Sequence, residues 1–109
     1  MLAIIENDIA LADRKPEDRL RVIYFDAPWC GPCKAFGPVF KEVADGRDDV
    51  EFLKAGVDSC PDAATAFSVR SVPALLGMRG GEIINTKTGP LSRKALGDWI
   101  DDMLARYRE

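Results

Sequence analysis

Short apolar runs alternate along the chain with segments of helical period, and that alternation lays out the elements. Ala3-Ile4-Ile5 reads as a short edge strand, and Asn7 or Asp8 stands where it can cap a brief helix through Ala12 that ends near Pro16. Arg21–Asp26 is rich in β-branched and aromatic residues and reads as a buried strand. From Gly31 to about Asp45, Phe36, Val39, Phe40 and Val43 recur at helical spacing, with Gly46 as the stop and Pro38 as an expected kink. Val50–Val57 alternates as a second strand. The crossover between the two strands is helical, so they form a parallel βαβ unit with a right-handed connection.

A short helix is expected over Asp62–Phe67. Ala74–Met78 and Glu82–Thr86 flank Arg79-Gly80-Gly81, a hairpin signal because glycine tolerates positive φ. From Ser92 onward, Leu96, Trp99, Ile100, Met103, Leu104 and Tyr107 trace one face of a final helix. The order is therefore βαβαββα, which implies an α/β fold. Its sheet is mixed, parallel in the first half and antiparallel in the second, with helices on both faces. There is no internal repeat or low-complexity segment, and the 109 residues are expected to form one domain over 1–109.

Composition narrows the chemistry. With 47% apolar and 30% charged residues the chain has the makeup of a folded protein. The apolar runs are too short to span a membrane, and the N-terminus lacks the regions of a signal peptide, so a soluble cytoplasmic protein is expected. Net charge is −3 with the basic residues scattered, which argues against nucleic acid as a partner. Three cysteines are the wrong number for a secreted disulfide framework, and the absence of histidine removes Cys–His and Ser–His–Asp hydrolases and most zinc sites.

What remains is the pair Cys30 and Cys33, in the run Trp29–Lys34 that joins the first buried strand to a helix N-terminus. Orphan N–H groups and the positive end of the helix dipole favour an anion there, so Cys30 is expected as a thiolate without help from histidine. Two intervening residues place Cys33 one turn inward, close enough to bond the first sulfur. Pro32 suits an early helical position, and Gly31 lets a substrate backbone approach the sulfur. A zinc site lacks ligands here, and a purely structural disulfide would close too short a loop to add much stability.

The motif Trp-Cys-Gly-Pro-Cys-Lys resembles the active site of the thioredoxin family, and the resemblance covers nearly the whole chain. Ser71–Ala74 matches that family's cis-proline loop. Asp58, Arg70, Gly80, Gly81 and Gly89 also fall in step, with no gap between Cys30 and Gly89. The resemblance implies a thioredoxin-like three-layer sandwich and a protein-disulfide reductase with Cys30 as nucleophile and Cys33 as resolving thiol. It implies disulfide-containing protein substrates, a thioredoxin reductase as electron donor, a monomer, and no cofactor. Pro73 is expected to be cis, turning the Val72 backbone toward the cysteines. Trp29, Gly31, Pro32, Val72, Pro73, Gly89 and Pro90 would form an apolar docking surface around Cys30.

Two departures stand out. Lys54 aligns with a lysine that the family pairs with a buried aspartate, yet the position of that aspartate holds Tyr24. Asp26 occupies a position where the family often has an aromatic residue. Strand alternation puts 24 and 26 on one face about 7 Å apart, so Asp26 is either a displaced proton carrier for Cys33 or a solvated strand-end carboxylate. Cys60, after the second strand, reads as a half-buried small residue at a helix start. The alternative, implied by the resemblance, is regulatory oxidation or dimerisation. Three other functions compete: a non-catalytic binding subunit, a glutaredoxin-like enzyme and a thiol oxidase. The Gly-Pro dipeptide between the cysteines resembles the reducing branch.

Overall fold

Strand β2 (Arg21–Asp26) is apolar on both sides, and this is why it lies inside the sheet: Val22 and Tyr24 pack into one hydrophobic layer, Ile23 and Phe25 into the other. The computed structural model describes residues 1–107. Strands β1 (Leu2–Ile5), β3 (Glu51–Gly56), β4 (Ala74–Arg79) and β5 (Glu82–Thr88) complete a five-stranded sheet of order β1-β3-β2-β4-β5. Pairing is parallel for β1–β3 and β2–β3 and antiparallel for β2–β4 and β4–β5, as the chain order implies. The core order βαβαββα is preceded by β1 and by helix α1 (Asp8–Ala12).

Helices α2 (Gly31–Asp45) and α4 (Arg93–Arg106) cover one face with Phe36, Phe40, Leu96, Trp99, Ile100 and Met103. Helices α1 and α3 (Pro61–Ala66) cover the other through Leu11 and Ala64. This is the thioredoxin-like three-layer arrangement. Under α2, Tyr24, Phe36, Phe40 and Phe52 form an aromatic layer with ring centroids 5.1–6.1 Å apart, each pair worth about 0.5–1.5 kcal/mol beyond its buried area. No helix among the described residues is long and apolar enough to cross a membrane.

Local chemistry explains the element ends. Asn7 caps α1 by accepting from Ala10 N–H at 2.8 Å, and Ser92 caps α4 by accepting from Ala95 N–H at 3.0 Å. Gly80 and Gly81 carry φ of +59° and +85°, the geometry of a tight hairpin turn between Arg79 and Glu82. Gly46 does end α2, but with φ −93°, so the left-handed freedom of glycine is not what stops the helix. Pro38 lies within α2, which continues to Asp45. The chain register also corrects one expectation: α4 ends at Arg106, so Tyr107 falls beyond the inward face and is 41% exposed.

Gly77 on β4 shows how closely α4 is seated. A Cβ at this position would collide with the thioether of Met103, which is itself only 1% exposed and has little room to yield. Gly77→Ala is therefore expected to destabilise the protein by about 1–3 kcal/mol. Denaturant unfolding should show a smaller cost in a Met103→Ala background, and equal costs in both backgrounds would place the strain elsewhere.

Candidate active site

Ala27, Pro28 and Trp29 carry the chain from the end of β2 to α2. Cys30 N–H donates to Ala27 O at 3.1 Å, closing a turn, and Cys30 becomes the N-cap of α2 with extended backbone (φ −87°, ψ 108°). Its side chain therefore meets the unpaired N–H groups of the first turn: Cys33 N–H donates to Cys30 Sγ at 3.2 Å. Cys30 and Cys33 are joined as a disulfide with Cα atoms 5.3 Å apart. Both residues are buried, while Gly31 and Pro32 between them are exposed. Nothing lies within 4 Å of where a Cβ on Gly31 would point, so the glycine leaves an open approach beside the sulfurs.

Around this pair, Trp29 is 69% exposed and its indole N–H donates to Asp58 Oδ2 at 3.1 Å. Asp58 was in register with the family motif, but periodicity carries no signal for a bond across a loop. The Val72–Pro73 peptide is cis, and Gly89, with φ +87°, donates its N–H to Pro73 O at 2.8 Å. The ladder of β4 starts at Ala74, leaving Val72 outside its register. Pro90 is exposed and Val72 and Gly89 are half-buried. Pro73 departs from the expected apolar surface: it is buried, because it leads directly into the buried strand β4.

Beneath Cys33 the polar residues are arranged differently from expectation. Lys54 does have an aspartate partner: its Nζ lies 3.2 Å from Asp26 Oδ2. Lys54 stands opposite Tyr24, and Asp26 stands opposite Gly56. The lysine side chain reaches diagonally, and Gly56 presents no side chain in the way. The pair is half-buried and lines a cleft of about 700 Å³ that also includes Cys33, Lys34, Gly37 and Pro38. Tyr24 lies deeper, 1% exposed, and its hydroxyl donates to Cys33 O at 3.3 Å. Burial pushes its hydroxyl up to about 12, and the negative charge of Asp26 adds to the effect.

Cys60 is fully rather than half-buried, at the start of α3 under the opposite face of the sheet. Burial pushes its thiol up, which opposes thiolate formation. No cluster of three metal-ligating side chains occurs among the described residues.

Comparison with known proteins agrees with this geometry. The thioredoxin family model matches residues 7–102. The chain belongs to the thioredoxin family. It is 38% identical to the thioredoxin of Rickettsia typhi over 97 residues, covering 87% of this chain and 92% of that one. It is 35% identical to the thioredoxin of Mycoplasmoides gallisepticum over 96 residues, covering 88% and 96% respectively. Among solved structures, Malassezia sympodialis thioredoxin superposes with a TM-score of 0.84 at 31% identity, covering 94% of this chain and 90% of that one. The family and the Cys30–Cys33 pair together make the protein a thiol–disulfide oxidoreductase that reduces protein disulfides by dithiol–disulfide exchange.

Tyr24 gives this thioredoxin-family site a measurable stability signature. Its hydroxyl is raised from 10.0 to about 12 in the folded state. The resulting stabilisation is fully present below pH 10 and is lost as pH rises toward 12, because the unfolded tyrosine ionises first. The loss is on the order of 2 kcal/mol. Urea unfolding at pH 9 and near pH 12 should show the wild type losing more stability than Tyr24→Phe. Parallel losses would contradict the assignment.

Proposed function

We propose that Cys30 is the attacking thiol, Cys33 the resolving thiol and Asp26 the group that takes the Cys33 proton. The hydrogen bond from Cys33 N–H to Cys30 Sγ carries this reading, since it directs the backbone donors of a helix N-terminus at the more N-terminal sulfur. In the reduced protein, Cys30 thiolate attacks one sulfur of a substrate disulfide. A Cys30–substrate bond forms, and the other substrate sulfur leaves as thiolate and takes a proton from water. Cys33, deprotonated, then attacks Cys30 Sγ and expels the first substrate sulfur. Two electrons have passed to the substrate, and Cys30–Cys33 is left oxidised. A thioredoxin reductase returns the two electrons.

Substrate docking is assigned to an extended peptide lying against exposed Trp29, Gly31, Pro32 and Pro90, beside half-buried Val72 and Gly89, with buried Pro73 shaping the loop. In this reading the chain works as a monomeric single domain in the cytoplasm, in electron transport and redox homeostasis. Asp26 suits the proton step because it shares a cleft with Cys33 and is only partly shielded from water. Lys54 holds the carboxylate in place. Cys60 takes no part in the exchange, as its burial on the other layer supports.

With insulin as substrate, Cys33→Ser should accumulate the Cys30 mixed disulfide and lose turnover, whereas Cys30→Ser should form no adduct. Turnover by Cys33→Ser at the wild-type rate would refute the two-thiol mechanism.

Asp26→Asn is expected to slow release of substrate from the mixed disulfide about 10²–10⁴-fold, the usual range for a lost general base. The deficit should shrink toward pH 9 as hydroxide takes over the proton. Single-turnover reduction between pH 6 and 9 reads this directly, and a profile identical to wild type would reduce Asp26 to a solvated strand end.

A further inference from the structure

We infer that Tyr24 is a positioning residue for the resolving cysteine: its hydroxyl fastens the Cys33 main chain to the central strand and sets where the Cys33 thiol sits. The inference rests on the reading of Cys33 as the resolving thiol. Tyr24 projects from β2 toward α2, and its ring is fixed edge-on to Phe36 and tilted against Phe40, with centroids 5.1 Å away in both cases. The phenol then has one donor to place, and it places it on Cys33 O at 3.3 Å.

The need for such a bond lies in the helix. Next to Cys33 the helical ladder is interrupted, because Pro38 has no N–H to donate to the carbonyl of Lys34. Cys33 N–H is directed at Cys30 Sγ, an acceptor whose charge changes at every step of the exchange. The bond from Tyr24 ties the same residue to the sheet through a carbonyl that takes no part in the chemistry. An ionised carboxylate at position 24 could only accept hydrogen bonds and could not make this contact. Tyrosine donates, and a phenol is protonated throughout neutral pH even without burial.

The chemical step is unaffected in kind. Cys33 thiolate forms a bond to Cys30 Sγ, the Cys30–substrate bond breaks, and the electron pair leaves on the substrate sulfur. The rate of such an intramolecular displacement depends on how closely the attacking atom is held to its target. Tyr24 acts on that placement alone, so it should affect the second exchange and leave the first unchanged.

Tyr24→Phe keeps the ring and removes only the hydroxyl. In rapid-mixing experiments with insulin, attack by Cys30 should proceed at the wild-type rate, while resolution by Cys33 should slow about fivefold, the equivalent of ~1 kcal/mol for one hydrogen bond. The factor should be the same from pH 6 to pH 9, unlike the pH-dependent deficit of Asp26→Asn. Replacing Tyr24 with 3-fluorotyrosine, which retains the hydroxyl, should keep resolution near the wild-type rate below pH 7. A folded Tyr24→Phe protein with wild-type resolution would overturn the inference, and so would equal slowing of both exchanges. Failure of Cys33→Ser to trap a mixed disulfide would instead remove the resolving-thiol reading beneath it.

Discussion

The contact on which the site depends is the hydrogen bond from Cys33 N–H to Cys30 Sγ, 3.2 Å long, which directs a helix N-terminal donor at the sulfur in a chain that has no histidine. For that bond to exist, α2 must begin at Gly31, with Cys30 extended at its N-cap. The start of α2 is set in turn by β2, whose both-sided apolar sequence holds it between β3 and β4. The parallel pairing of β2 with β3 sends the connection across α2, whose N-terminus then lies at the carboxyl end of the strand. The site thus stands at the end of a strand that is buried on both faces.

The exchange of residue types at 24 and 26 separates two demands that one buried carboxylate would have to meet together. An ionised group deep in an aromatic layer carries a large desolvation cost. Tyr24 avoids it, filling that layer with a ring and satisfying its single polar atom on Cys33 O. The charge is moved to the strand end, where Asp26 meets Lys54 and the cleft leading to Cys33. A half-exposed ion pair of this kind contributes at most modest stability. What the pair does fix is the place of the carboxylate, in the cleft that Cys33 also lines.

Much of this was legible in the chain. Arg21–Asp26, and the helix from Gly31 to about Asp45, were readable because β-branched and aromatic clustering in one and helical spacing in the other leave little choice. The hairpin followed from Gly80 and Gly81, and the reactive pair from two cysteines at a strand-to-helix junction in a chain without histidine. These features are local: each depends on residues within a few positions of one another.

Depth and diagonal contacts were decided only by the tertiary structure. Strand alternation placed Tyr24 and Asp26 on one face, but it could not say that Lys54 would lean past Gly56 to Asp26, since that depends on the register of β2 with β3. It could not supply the acceptor for the Tyr24 hydroxyl, which comes from the helix packed above. Pro73 and Cys60 are buried more deeply than their loop positions suggested, because β4 and α3 begin beside them and draw them into the core. Tyr107 had the right spacing for the inner face of α4, yet the helix ends at Arg106. Periodicity fixes which face of an element is apolar; how far each side chain lies from water is set by the elements that close over it.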